Sequence, residues 1–141
     1  MPAIYEHELV VSEREIDRLG HVNNIEYLRW MQDAATAHSA AQGWPGKRYV
    51  ELGAGWVVRS HKIEYLIQAL LGESIVVKTW VASFDKIRST RRFKMVRSRD
   101  QAILAVAETQ WVFVCYQGRG PRRVPEEVRN AFIVVSPDDE P

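Results

Sequence analysis

Residues 15–30, EIDRLGHVNNIEYLRW, set an acid, a glycine and two asparagines directly ahead of an apolar-periodic run. Asn23 is a good N-cap for a helix, so the backbone N–H groups near Asn24 lack intrahelical partners and point at whatever lies in front. Together with the positive end of the helix dipole, those donors form a site for a developing oxyanion. Asp17 lies seven residues before Asn24, across a turn at Gly20, so the chain can fold its carboxylate back towards the same helix end. A carboxylate there can act as base or nucleophile on a carbonyl held by the amides. Thioesters suit so sparse a site, because the thiol that leaves has a pKa of about 8.5 and departs with little acid help. The same string also reads as plain loop chemistry, with Asp for a turn, Gly for positive φ and Asn for a cap. Spacing alone leaves both readings open.

The elements that must position these groups follow from pattern. The 141 residues, 46% hydrophobic and 26% charged, suffice for one domain, 1–141, with a real core. Charged residues interrupt every apolar run, so no membrane span is expected, and MPAIYEHELVVSERE lacks the basic-then-apolar order of a signal peptide. The one cysteine, Cys115, rules out an intramolecular disulfide framework and fits a reducing cytoplasm. A helix is expected over 24–42, with Leu28, Met31, Ala35 and His38 on one face and Tyr27, Trp30, Ala34, Ala37 and Ala41 on the next. Such a helix is buried over most of its circumference and stops at Gly43 and Pro45. Residues 4–12 read as a strand. From Trp56 to Tyr116 there is no proline, and four long segments rich in β-branched and aromatic residues are separated by turns at 71–73, 85–86 and 99–101. Connections this short imply antiparallel hairpins. A short helix over VPEEVRNAF and a frayed acidic tail, 136–141, complete an α+β fold: a curved antiparallel sheet wrapped around one long buried helix.

Other chemistries find less support. His7, His21, His38 and His61 have no metal-ligand spacing, so no metal or other cofactor is expected. Neither a G-x-S-x-G elbow nor a P-loop is present. Cys115, in an apolar strand, reads as a core residue. Trp56, Trp80 and Trp111 read as core or subunit-interface residues, with one or two left for an acyl pocket. Lys86, Arg88, Arg91, Arg92, Lys94, Arg97 and Arg99 form a run without an acid, yet the net charge of +1 and the lack of a recognition motif argue against nucleic acid. Most of that run reads as a solvated hairpin face; Arg119, Arg122 and Arg123 read as surface charge. Part of the run could instead hold the phosphates of coenzyme A (CoA) by charge-assisted bonds.

The string D-x-x-G-H-V-N-N-x-x-Y, the buried helix behind it and the segment HKIEYLIQALLGESI resemble the hot-dog-fold acyl thioesterases. The likeness is to the 4-hydroxybenzoyl-CoA thioesterase superfamily, with wording closest to its fatty acyl-CoA and acyl-carrier-protein members, and it covers nearly the whole chain. The resemblance implies an acyl-CoA thioesterase in which Asp17 is nucleophile or general base and the Asn24 amide polarises the carbonyl. Gly20, His21, Asn23 and Tyr27 then belong to the substrate site, Gly20 and Tyr27 by shaping the turn and the helix face. Lys86, Arg88, Ser89 and Arg91 match the segment that contacts the CoA nucleotide. Glu15 stands where many members carry a second aspartate. The resemblance also implies a homodimer or homotetramer with active sites between subunits, Asp17 of one chain working with Arg88 of its partner. Two alternatives remain: a non-catalytic acyl-CoA or acyl-carrier-protein binding module, and a thioesterase for acyl-carrier-protein or aromatic acyl-CoA substrates. A hot-dog dehydratase using His21 with Asp17 fits less well, because its usual histidine placement is missing.

Overall fold

The computed structural model of the chain describes residues 3–141, so Met1 and Pro2 of the expected domain lie outside the described residues. Five strands form one antiparallel sheet: β1 (Tyr5–Val10), β2 (Ala54–Tyr65), β3 (Ser74–Phe84), β4 (Arg88–Arg97) and β5 (Ile103–Cys115), in the order β1-β3-β4-β5-β2. Helix α1 (Asn24–Ala41) lies across one face, α2 (Gly46–Leu52) follows it, and α3 (Glu126–Arg129) comes after the sheet. No helix among the described residues is long and apolar enough to cross a membrane.

Both apolar stripes of α1 contribute to its buried face: Tyr27, Trp30, Met31, Ala34, Ala35 and His38. They pack on Ile75 and Val77 of β3, Phe93 and Met95 of β4, and Ala105 and Ala107 of β5. Alanines on both sides of that contact let the helix axis lie close to the strands. Ala41, at the end of the second stripe, is exposed, because the chain leaves the helix there. Gly43, at φ +91°, supplies the left-handed turn, and the Trp44 N–H reaches back to the Ser39 carbonyl at 2.8 Å.

Two expectations need correcting. Residues 71–73 do not close a hairpin: β2 pairs with β5 at one edge and β3 pairs with β1 and β4, so residues 66–73 form a strap that crosses the sheet end. The tail does not fray. Glu140 accepts from Trp80 Nε1 at 2.9 Å and from Arg92 Nη1 at 2.7 Å, and Lys94 Nζ donates to the Pro141 carbonyl oxygen, which pins the tail to the face of the sheet opposite α1. The turns at 85–86 and 99–101 do join paired neighbours, β3 to β4 and β4 to β5.

Candidate active site

The segment ahead of α1 folds as a small closed loop. Ile16 and Val22 bridge as antiparallel partners, the Asp17 N–H donates to the His21 carbonyl at 2.8 Å, and the Gly20 N–H donates to the Asp17 carbonyl. Gly20 takes φ +82°, a conformation a side chain would strain. Asp17 Oδ1 accepts from the Leu19 N–H at 2.9 Å and the His21 N–H at 3.2 Å, so the carboxylate is oriented by its own loop. Among the described residues its Oδ2 takes no hydrogen bond, and the residue is exposed. His21 enters the loop only through its backbone groups.

Across the Ile16–Val22 bridge the chain turns straight into the helix. Asn23 Oδ1 caps the Ile25 N–H at 3.1 Å, while the Asn23 N–H donates to the Glu15 carbonyl at 2.9 Å. The Asn24 N–H has no partner among the described residues and stands at the positive end of an 18-residue helix. One bridge thus joins the loop that orients the Asp17 carboxylate to the segment that opens the helix at Asn24. A carboxylate and an open helix-end amide are the groups needed to deliver a base or nucleophile to a carbonyl carbon and to hold its oxygen.

Glu15 is the anchor of this loop. Its side chain is buried, with Oε2 accepting from Trp30 Nε1 at 2.7 Å and Oε1 accepting from the Ser12 N–H at 2.8 Å and the Ser12 hydroxyl at 3.1 Å. Burial alone would raise its pKa, but the bonds from Ser12 and Trp30 outweigh that and hold the carboxyl below its ordinary value. Tyr27, expected on the substrate side, is instead 2% exposed and uses its hydroxyl to accept from the Ala69 N–H at 3.0 Å. Its work is to latch the 66–73 strap onto α1.

The other expected group lies at the far end of the helix. α1 runs along the strands so that Tyr65 of β2 donates to the Asn24 carbonyl at one end, while His38 meets Arg91 of β4 at the other. Those two helix positions are 14 residues, or roughly 21 Å, apart. Lys86 and Arg88 are exposed on the β3–β4 hairpin, whose turn is held by Asp85 Oδ1 accepting from the Ile87 and Arg88 N–H groups. Three of the basic run are already in ion pairs: Arg92 with Glu108 and Glu140, Arg97 with Glu73 and Asp100, and Arg99 with Glu73. Ser89 and Arg91 face inward. Ser89 donates to the Ser83 carbonyl, and Arg91, 6% exposed, lies too deep for a surface phosphate.

Around these inward residues is a cavity of about 170 Å³ that sequence reasoning missed as a unit. Trp44, Tyr49, Trp56, Phe84, Trp111 and Phe132 line it, with Ser89 and Arg91 in its wall. Trp56 and Trp111 are thus pocket residues, whereas Trp80 faces the docked tail. Strand alternation was the available signal: Arg91 shares its face with Phe93 and Met95 in the core, and Arg92 and Lys94 take the other.

Arg91 Nη1 donates to His38 Nδ1 at 2.9 Å and to Thr79 Oγ1 at 3.1 Å. An arginine can only donate, so His38 is neutral with its proton on Nε2. Burial, aided by the Arg91 charge, pushes the His38 pKa down from 6.5 to about 3. The unfolded chain protonates this histidine near 6.5 and the folded protein does not, so its contribution to stability is complete above 6.5 and is lost as pH falls towards 3. At about 1.4 kcal/mol per pH unit, roughly 2 kcal/mol should be gone by about pH 5. Urea unfolding at neutral pH and at about pH 5, compared with His38→Gln, which still offers Arg91 an acceptor but does not titrate, measures that loss.

A curved antiparallel sheet around one long helix is the hot-dog fold, and comparison with known proteins agrees. The sequence profile of the thioesterase-like superfamily matches residues 11–132. Among solved structures, the chain is similar to the 1,4-dihydroxy-2-naphthoyl-CoA thioesterase Slr0204 from Synechocystis, at 16% identity and TM-score 0.84 over 91% of this chain and 94% of that one. It is also similar to SAV2348 from Staphylococcus aureus in complex with CoA, at 17% identity and TM-score 0.85 over 91% of this chain and 80% of that one. A Lactobacillus plantarum protein provisionally called an oleoyl thioesterase matches at 19% identity and TM-score 0.89, over 94% of this chain and 52% of that one. That family match, over a fold of this kind, marks the chain as a thioester hydrolase. The chain belongs to the thioesterase-like superfamily.

Proposed function

We propose that the protein hydrolyses acyl-CoA thioesters in the cytoplasm, with Asp17 as base or nucleophile and the Asn24 N–H as the donor to the developing oxyanion. The observation that carries this reading is the Asp17 carboxylate oriented by its own loop, which the Ile16–Val22 bridge ties to a helix start whose amide has no partner among the described residues. In the base route Asp17 takes a proton from water, the oxygen adds to the thioester carbon, and the C–S bond breaks. The thiolate then collects a proton, and acid and CoA leave. In the nucleophile route the carboxylate adds first, the C–S bond breaks and CoA thiolate departs to leave a mixed anhydride, and water hydrolyses that anhydride to free acid and the restored Asp17 carboxylate.

One copy of the chain separates Asp17 from the aromatic cavity, so the working site needs two. β2 is an edge strand of 12 residues with a free side, against six residues for β1 at the other edge. A two-fold axis pairing β2 with its copy would lay the Tyr65 end of one chain against the Ala54–Trp56 end of the other. The Asp17 loop would then face the partner's cavity, with the partner's Lys86 and Arg88 on the rim for CoA phosphates. Leu19, Ile25, Tyr65, Leu66 and Leu71, all exposed around the loop and strap, supply apolar surface for such a contact.

Thiol release from aromatic, short-chain and long-chain acyl-CoAs, with acyl-carrier-protein thioesters alongside, tests the reading. Turnover of at least one CoA ester, by a protein that sediments as a dimer or tetramer, is the expected result. Binding of CoA esters without turnover of any would overturn it in favour of a binding module.

A further inference from the structure

We propose that the aromatic cavity takes a compact acyl group carrying a carboxylate at the end far from the thioester, and that Arg91 is the residue that recognises it. This rests on the thioesterase reading above and names its substrate class.

The argument begins with an unbalanced charge. Arg91 is 6% exposed, lines the cavity, and forms no ion pair among the described residues. None of the cavity-lining residues is acidic. Its two hydrogen-bond partners, His38 and Thr79, are neutral and both lie on Nη1, so Nε and Nη2 take no partner among the described residues. Burial brings the Arg91 pKa down only to about 10, which leaves it protonated at neutral pH. A buried cation of this kind is costly to a fold unless something pairs with it. Phe132 gives it a ring face 5.9 Å away, a weak partner for a full charge.

The neighbours also preorganise the guanidinium. His38 is clamped between Tyr5, stacked at 5.3 Å, and Phe132, edge-on at 5.3 Å, so its grip on Nη1 fixes the plane of the fork. The Nε and Nη2 edge that remains is the one that binds carboxylates by two parallel bonds. Size narrows the class further. A cavity of roughly 150 Å³ accommodates benzene, so about 170 Å³ holds one ring, or a short chain of similar bulk, with a small substituent.

The test compares kcat/KM for two substrate pairs, 4-carboxybenzoyl-CoA with 4-methylbenzoyl-CoA and adipoyl-CoA with hexanoyl-CoA. Within each pair the shape is close and only the distal carboxylate differs. Wild type should favour the carboxylated member of at least one pair by about tenfold or more, mainly through KM; which pair responds separates an aryl from an aliphatic acyl group. Arg91→Met should abolish or reverse that preference, read as the ratio of kcat/KM within each pair, and Arg91→Lys should keep part of it. Wild-type turnover of the esters without preference in either pair overturns the inference and leaves the thioesterase reading standing. If no ester is turned over, the reading fails instead, and calorimetric titration with 4-methylbenzoate against its uncharged isostere 4-methylbenzamide decides the inference: tighter binding of the carboxylate supports it, and equal or absent binding overturns it. Should Arg91→Met not fold, the wild-type pairs decide alone.

Discussion

Asp17→Asn should lower kcat on any CoA ester the protein turns over by about 10²- to 10⁴-fold, the range for losing a positioned base. The loop itself should survive. Oδ1 of the amide can still accept from the Leu19 and His21 N–H groups, and those bonds, with the Ile16–Val22 bridge, define the loop. What disappears is the ability of the free oxygen to take a proton or attack a carbonyl, since an amide does neither. KM should move little, because the proposed place of Asp17 is at the reacting carbon and not among the groups that hold the acyl or nucleotide parts. Thiol-release kinetics paired with a thermal melt separate the outcomes. A melt within a degree or two of wild type with a collapsed kcat supports the assignment, whereas undiminished turnover removes Asp17 from the chemistry.

Glu15→Ala should destabilise the fold by about 3 kcal/mol, through the donors it leaves unpaired inside the protein. Trp30 Nε1 and the Ser12 N–H both depend on this carboxylate, and neither has another partner among the described residues. Glu15→Gln is the informative companion. Each Glu15 oxygen faces a donor, so the amide can satisfy Trp30 or Ser12 but must set its NH2 against the other; a loss of roughly half as much is expected. Urea unfolding monitored by tryptophan fluorescence gives both values. Because the Glu15 carbonyl also receives the Asn23 N–H, the alanine variant should lower kcat as well, by letting the Asp17 loop drift from the helix end. A stability change below about 0.5 kcal/mol in Glu15→Ala would show that the buried triad of Glu15, Ser12 and Trp30 is not what secures the loop.

The local pieces of this protein were legible in the chain, because each depends on neighbours in sequence. Helix periodicity marked α1 at 24–42 against an observed Asn24–Ala41, Asn23 marked its cap, and Gly20 and Gly43 marked the two left-handed turns. The β3 segment, 74–84, was read at its observed bounds, and the other strands within a few residues of theirs. Much of this site also lies in one continuous stretch, 15–24, so its residue types announced it.

What the tertiary structure decided involves residues that sequence distance keeps apart. Turn chemistry at 71–73 looked like a hairpin, but strand order depends on which faces bury best together, and β2 went to the edge beside β5. Glu15 was legible only as the residue standing where many relatives carry a second aspartate; its buried bond to Trp30 needed the packed fold to appear. In the same way seven basic residues read as one patch, yet alternation along β4 and the acids that Glu73, Asp100, Glu108 and Glu140 bring from elsewhere sorted them into pairs, rim and interior. Arg91 alone was turned inward onto His38, because a strand that buries Phe93 and Met95 must bury whatever shares their face. Hydrophobic pattern determines that a face is buried, but only the packed fold determines what a buried charge will meet there.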